Sequence, residues 1–421
     1  MVEYRKHILD NGLTVITHEA WDTPLATVNL LYGVGSRDED PRRTGFAHLF
    51  EHLMFGGTRA VPDFDAVVSS MGGESNAFTN CDYTNYYMTF PADGLSTALR
   101  LEADRMTDLD ISQKALEVQQ KVVTEEFHQR YMNQPYGDVW LLLRPLCYKV
   151  HPYRWPTIGA DIRHVSEATL DDVKAFHEKH YRPGNAILAI AGPVSHDEQL
   201  HLAEEAWKAK KTGVPMSGAT SKSRSSIAEP PQNEARELRV VRQVPATKVF
   251  IAWPMCSHND PMFRACDLLT DVLANGKSSR MHQHLVMERG IMSEADACIS
   301  GEEGPGLLVL SGVLSQGISP DEGIAALREE AMRLANEPVS EYELTKVQNK
   351  YENTYIYSQY KAADRAMGLC HYTWLGDTDL INREPEEYRR VSVEDLLSAA
   401  RVVFRPEHEN RLYYEAERQD S

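Results

Sequence analysis

Basic charge is what this chain conspicuously lacks: 44 Lys and Arg stand against 62 Asp and Glu over 421 residues, a formal net charge of −18. No basic stripe is available to neutralise phosphates, which argues against a nucleic-acid-binding protein. No apolar run approaches the roughly 20 residues needed to span a bilayer. The six cysteines (Cys81, Cys147, Cys256, Cys266, Cys298, Cys370) are scattered and form no C-x-x-C pair. Reduced thiols are therefore expected, with no disulfide framework and no cysteine zinc site. The first residues, Met1 to Lys6, lead straight into a strand-like pattern and not into a signal segment, so a cytoplasmic protein is expected. What remains, 42% hydrophobic and 25% charged, is the composition of a soluble globular chain long enough for two or more domains.

Against that background one pentapeptide stands out, His48-Leu49-Phe50-Glu51-His52. On a helix, H-x-x-E-H sets two imidazoles one turn apart with a carboxylate beside them. Zinc hydrolysis needs that set: two neutral nitrogen ligands and a base for the attacking water. The inverted order is itself a recognised zinc-peptidase motif. The run lies in an apolar-periodic segment (Phe46, Leu49, Phe50, Leu53, Met54) that follows Thr44-Gly45 and stops at Gly56-Gly57. Those features predict a short helix with a glycine end.

The segment from Lys208 to Glu237 is rich in Ser, Pro, Gly and charge. It predicts a linker, placed at 211–236, between a first domain at 1–210 and a second at 237–421. The two halves look alike. Strand-like Ala26–Tyr32 leads through a polar turn to the His48 helix and a glycine pair; strand-like Val249–Trp253 leads through Asn259-Asp260-Pro261 to an apolar helix ending at Asn275-Gly276. Each half has a later strand (Ala186–Ala191, Gly306–Leu314) and long amphipathic helices (Leu95–Met132, Asp321–Tyr360). An α+β fold of two homologous domains is expected, each a mainly antiparallel sheet with helices on one side. Aligning the helix ends puts Leu268, Asp271 and Val272 where the first half has His48, Glu51 and His52, so only the first half would carry metal.

A third ligand is sought on the helix Glu117–Phe127, where Val122, Val123 and Phe127 are expected to form the buried stripe; spacing alone leaves Glu125 and Glu126 both open. Ordered motifs then extend along the whole chain: Asn11-Gly12-Leu13-Thr14-Val15, Gly45–His52, Gly72–Thr79, His151–Gly159 and Tyr181–Ala186. In these the chain resembles the pitrilysin-type inverted zinc metallopeptidases, which include insulin-degrading enzyme and the mitochondrial processing peptidases. The resemblance implies one zinc ion per chain held by His48, His52 and Glu126, with Glu51 as the base that takes the proton of the attacking water. It places Gln119 where the family has a glutamate that orients a ligand histidine.

The resemblance also implies an edge strand at Asn76-Ala77-Phe78-Thr79 to which an extended peptide adds by main-chain hydrogen bonds. It further exposes a departure. The family's substrate-binding arginine and tyrosine follow a Ser-Ser-Arg signature, here Ser278-Ser279-Arg280; Val286 and Ser293 occupy their positions. Arg280 belongs to the signature and is no evident substitute. The expectation is a zinc endopeptidase acting on peptides or unfolded segments in a clam-shell chamber formed on dimerisation. A second homologous subunit would supply the missing Arg and Tyr, with a homodimer as the alternative. A processing peptidase removing leader segments is one rival, although no glycine-rich presenting loop is apparent. A non-catalytic structural subunit on the same fold is the other.

Overall fold

The structure, a computed structural model, describes residues 1–208, 227–301 and 303–417. Of the expected linker, 211–226 lies outside the described residues, and 227–235 contains no helix or strand.

The first half of the chain runs β1 (Arg5–Ile8), β2 (Thr14–Glu19), β3 (Leu25–Tyr32), α1 (Phe46–Leu53), α2 (Phe64–Ser70), β4 (Glu74–Thr79) and β5 (Thr84–Pro91). Helices α3 (Leu95–Asp108), α4 (Gln113–Phe127), α5 (Val139–Cys147), α6 (Arg163–Ser166) and α7 (Leu170–His180) follow, then β6 (Ala186–Gly192) and α8 (His196–Trp207). The second half opens with β7 (Arg236–Arg242), β8 (Lys248–Pro254), α9 (Phe263–Ala274), a π-helical stretch His282–Glu288, β9 (Met292–Ser300) and β10 (Leu307–Leu314). It closes with α10 (Pro320–Asn336), α11 (Glu341–Ser358), α12 (Ala362–Leu375), α13 (Leu380–Arg389), α14 (Val393–Val403) and β11 (Asn410–Ala416). Local chemistry sets the helix starts. Thr169 and Asp172 form a capping box on α7, and Ser392 and Asp395 form one on α14. Ser319 caps α10, whose first turn carries Pro320.

The two sheets share one design. The first has the order β1-β2-β6-β3-β5-β4 and the second β7-β11-β8-β10-β9. Leaving β1 aside, strands met in the same chain order take the same places. In each sheet one pair is parallel (β2 with β6, β7 with β11) and the other pairs are antiparallel. A sheet of this kind, with the fifth strand inserted beside the first, repeated in order, is the expected duplication of an α+β domain.

The division into compact units is not the contiguous one expected. Among the described residues, those within 1–127, 155–208 and 355–383 form one unit; those within 128–154, 227–354 and 384–417 form the other. Each half thus lends a helix to the other's sheet. In the first unit, Ala362, Ala366, Leu369 and Trp374 of α12 pack on Ile16, Leu31, Ile187 and Ala189, which share one face of the sheet. In the second, α5 packs against β7, β8 and β11, and Arg236 donates to the Leu146 and Cys147 carbonyls at its end. Helices therefore cover both faces of the first sheet, and its central strands β3 and β6 are buried almost throughout, as strands covered on both sides are. No described helix is long and apolar enough to cross a membrane.

The exchange of α12 is testable. Trp374 is 1% exposed in that helix, and truncating a buried Trp to Ala removes its contacts and leaves a cavity worth about 3–5 kcal/mol. Trp374→Ala is expected to lower unfolding free energy by that amount in urea titration. A loss below about 1 kcal/mol would contradict the packing of α12 on this sheet.

Candidate metal centre

Helix α1 is only eight residues long, and its end is held from outside. Gly45 precedes it with φ 91°, a left-handed conformation that suits glycine. The carboxylate of Glu39, itself buried, accepts the Gly45 N–H at 2.9 Å and the Ala47 N–H at 2.8 Å. These are backbone donors the first helical turn leaves unsatisfied. Burial pushes the Glu39 carboxyl up to about 8, against the pull of those donors. Thr44 adds a second tether, its hydroxyl bonding His164 and accepting the Ala160 N–H. Sequence reading passed over Glu39, because in the acidic run Asp38-Glu39-Asp40 it resembles its solvated neighbours.

On this helix His48 and His52 lie one turn apart, their rings 4.9 Å between centroids and nearly perpendicular. Glu126, near the end of α4, brings its Oε2 to 3.6 Å from His48 Nε2 and 3.2 Å from His52 Nε2. These three residues are the one group of His, Cys, Asp and Glu among the described residues whose ligand atoms could hold a metal ion, all within 4.8 Å of one another. Zinc bonds of about 2.0–2.1 Å at tetrahedral angles put neighbouring ligand atoms roughly 3.3 Å apart. The two measured spacings bracket that value, so the donor set fits such an ion. Their side chains are 11%, 25% and 15% exposed for His48, His52 and Glu126, which shelters the centre yet leaves it reachable. Glu51 is half-buried on the same helix, between the ligands.

Helix α4 corrects one detail of the expectation. Val123 and Leu116 are its buried residues, whereas Val122 is 43% exposed. The stripe runs through 116 and 123, and Glu126, three residues past Val123, shares its side. Glu125 faces solvent. Gln120, not Gln119, anchors the helix, donating to the carbonyls of Val165 and Ala168. Gln119 is half-buried two turns before Glu126, and among the described residues no hydrogen bond joins it to either histidine.

The expected peptide-binding strand is β4, which among the described residues pairs only with β5 and so ends the sheet. Its residues divide between two faces. Ala77 stands opposite Tyr86 and Thr79 opposite Thr84; Tyr86 reaches α1, so this face meets the metal helix. Asn76 and Phe78, opposite Tyr87 and Asn85, project from the other face, because side chains alternate along a strand. Phe78 packs on Tyr83 there, ring centroids 6.0 Å apart. Asn76 nonetheless touches the edge: its Oδ1 accepts the Ala77 N–H at 2.8 Å.

In the second unit, the positions aligned with the ligands hold packing and structural residues. Leu268 and Val272 are 1% exposed in the core, and Asp271 pairs with Lys350. Val286 packs against the same core, and the Ser293 hydroxyl meets the Val313 carbonyl at 3.4 Å. Arg280 is committed to Glu343 in a two-pronged pair at 2.8 and 3.0 Å, which holds the Glu343 carboxyl down at about 2. It is not spare.

Comparison with known proteins agrees with this division. Residues 14–140, which contain His48, His52 and Glu126, match the insulinase family description, peptidase family M16. Residues 167–351 match the M16 inactive domain. A protein of Helicobacter pylori named zinc protease PqqE is 28% identical over 411 residues, covering 94% of this chain and 89% of that one. An uncharacterized zinc protease of Mycobacterium leprae is 30% identical over 67% of this chain and 63% of its own length. Among solved structures, a protease from Helicobacter pylori has a TM-score of 0.92 at 25% identity, covering 99% of this chain and all of the other. Pitrilysin has a TM-score of 0.77 at 16% identity, with 98% of this chain matched to 45% of that one.

Removing a ligand tests the centre directly. His48→Ala and Glu126→Ala are each expected to weaken zinc binding by about a hundredfold or more, beyond the loss typical of outer-shell changes. Glu125→Ala is expected to bind as the parent does. Competition with a chromogenic chelator, followed by metal analysis after dialysis, reads all three.

Proposed function

The chain belongs to the pitrilysin-type family of M16 peptidases, and from that premise we propose that it is a zinc-dependent endopeptidase cleaving peptides or unfolded segments. The observation that carries this reading is the convergence of His48, His52 and Glu126 from two helices at spacings that suit one tetrahedral ion. When bound, zinc supplies Lewis acidity, polarising a carbonyl and acidifying water. The protein's own residues do the rest. Glu51 takes the proton from the attacking water and returns one to the leaving amine. The free edge of β4 aligns an extended substrate by main-chain hydrogen bonds, a grip nearly independent of side chains. Small Ala77, on the metal side of that strand, leaves room for the substrate backbone.

The proposed working unit is a heterodimer. Val286 and Ser293 offer no cationic or phenolic donor, and Arg280 is held by Glu343. A second chain of similar fold would supply an arginine and a tyrosine and complete a chamber of about four domains; a homodimer is the alternative. Full activity of this chain purified alone, with one species on gel filtration, would exclude the heterodimer.

The chemistry has its own test. Glu51→Gln keeps the size of the side chain and the metal ligands but removes the base, so kcat is expected to fall about 10²–10⁴-fold with zinc content unchanged. Hydrolysis at the parental rate by that variant would refute the proposed mechanism, and a non-catalytic role would follow if neither protein cleaved peptides in the presence of its partner.

A further inference from the structure

The Tyr86 side chain is fully buried, 0% exposed, and it joins three parts of the candidate site. Its hydroxyl donates to the Phe50 carbonyl at 3.2 Å. Phe50 lies between the ligand histidines, and its carbonyl precedes the Glu51 amide. That carbonyl already accepts the Met54 N–H, so Tyr86 uses its second lone pair and does not disrupt the helix. In the β4–β5 ladder Tyr86 stands directly opposite Ala77. The strand proposed to receive substrate is thus hydrogen-bonded to the strand that carries Tyr86.

The third part lies beneath the ring. The Arg105 guanidinium sits 4.6 Å from the Tyr86 ring centroid. Glu102, fully buried like Arg105, accepts two of its hydrogen bonds, at 2.6 and 2.5 Å. A buried ion pair is costly to assemble but rigid once every partner is set. The Tyr32 ring meets Tyr86 edge-on at 5.8 Å, so the phenol has little room to swing.

We propose that Tyr86 is a positioning residue that fixes the metal helix at a set height over the substrate-adding strand, so that Glu51 and the scissile bond keep their separation. This rests on the endopeptidase reading above for its catalytic consequence, but the structural part stands alone. Without the hydroxyl, α1 loses the hydrogen bond that ties its Phe50 carbonyl to β5. Misplacing a reacting pair by about 1 Å can cost 10²-fold in rate. Ground-state peptide binding comes from β4 backbone groups and does not involve this hydroxyl.

Tyr86→Phe tests the assignment because it keeps the ring, its packing and the contact with Arg105. In the full chain, hydrogen exchange of the α1 amides from Leu49 to Met54 is expected to speed up about tenfold, with or without added zinc. Tyr181→Phe serves as control: the Tyr181 hydroxyl lies 3.4 Å from that of Tyr86 and does not bond α1, so it should leave that exchange at the parental rate. In peptide cleavage by the assembled enzyme, Tyr86→Phe is expected to lower kcat about tenfold with KM within twofold and zinc stoichiometry intact. Parental exchange in α1 overturns the proposal whatever the activity. A rise in KM with kcat unchanged, or loss of zinc, overturns it too, since either would give Tyr86 a different role. Failure of the endopeptidase reading shows separately, as equal rates for the parent and Glu51→Gln.

Discussion

Three candidate ligand atoms carried by two helices lie within 4.8 Å of one another, and several contacts of the first unit hold those helices at that spacing. One of those helices is eight residues long, too short to be stable by itself in water. Its geometry is therefore imposed by its surroundings: Glu39 at its N-terminus, Tyr86 at the Phe50 carbonyl, and the rings of Phe176, stacked, and Tyr181, tilted, against Phe50. The other helix is held by Gln120 through two carbonyls. These side-chain tethers, Glu39 and Tyr86 on one helix and Gln120 on the other, hold the two helices in place.

How much of this could be read from the sequence follows from the range of each interaction. His48, Glu51 and His52 lie within one helical turn, so their convergence is a local property and was legible. So was the repeat, because strand, polar loop, helix and glycine recur in the same order. Glu126 over Glu125 depended on which side of α4 meets the core. The expected stripe was wrong at Val122, and the resemblance to a family settled the choice where periodicity could not. The destinations of α5 and α12 were not legible, since an amphipathic helix states which face it buries but not against which sheet. The faces of β4 were lost for a similar reason. Alternation separates Ala77 from Asn76 and Phe78, but only pairing with Tyr86 shows which set looks toward α1.

The two halves fill the same helix positions with different chemistry. In α9 the aligned positions are Leu268 and Val272, both buried and apolar, and they pack a helix without any polar compensation. In α1 the same positions are imidazoles facing a carboxylate, all three largely removed from water. Burying polar groups of this kind is costlier than burying apolar ones, and the second half shows that an apolar filling of the same architecture is available. The first half keeps the costlier set and supports it with a buried glutamate and a buried phenol. Under the proposed function, a cation shared by the three residues would offset that cost. The same argument explains why the supports surround α1 in particular. Groups that would bind an ion need supports that do not depend on it, and Glu39 and Tyr86 both bond the backbone at α1.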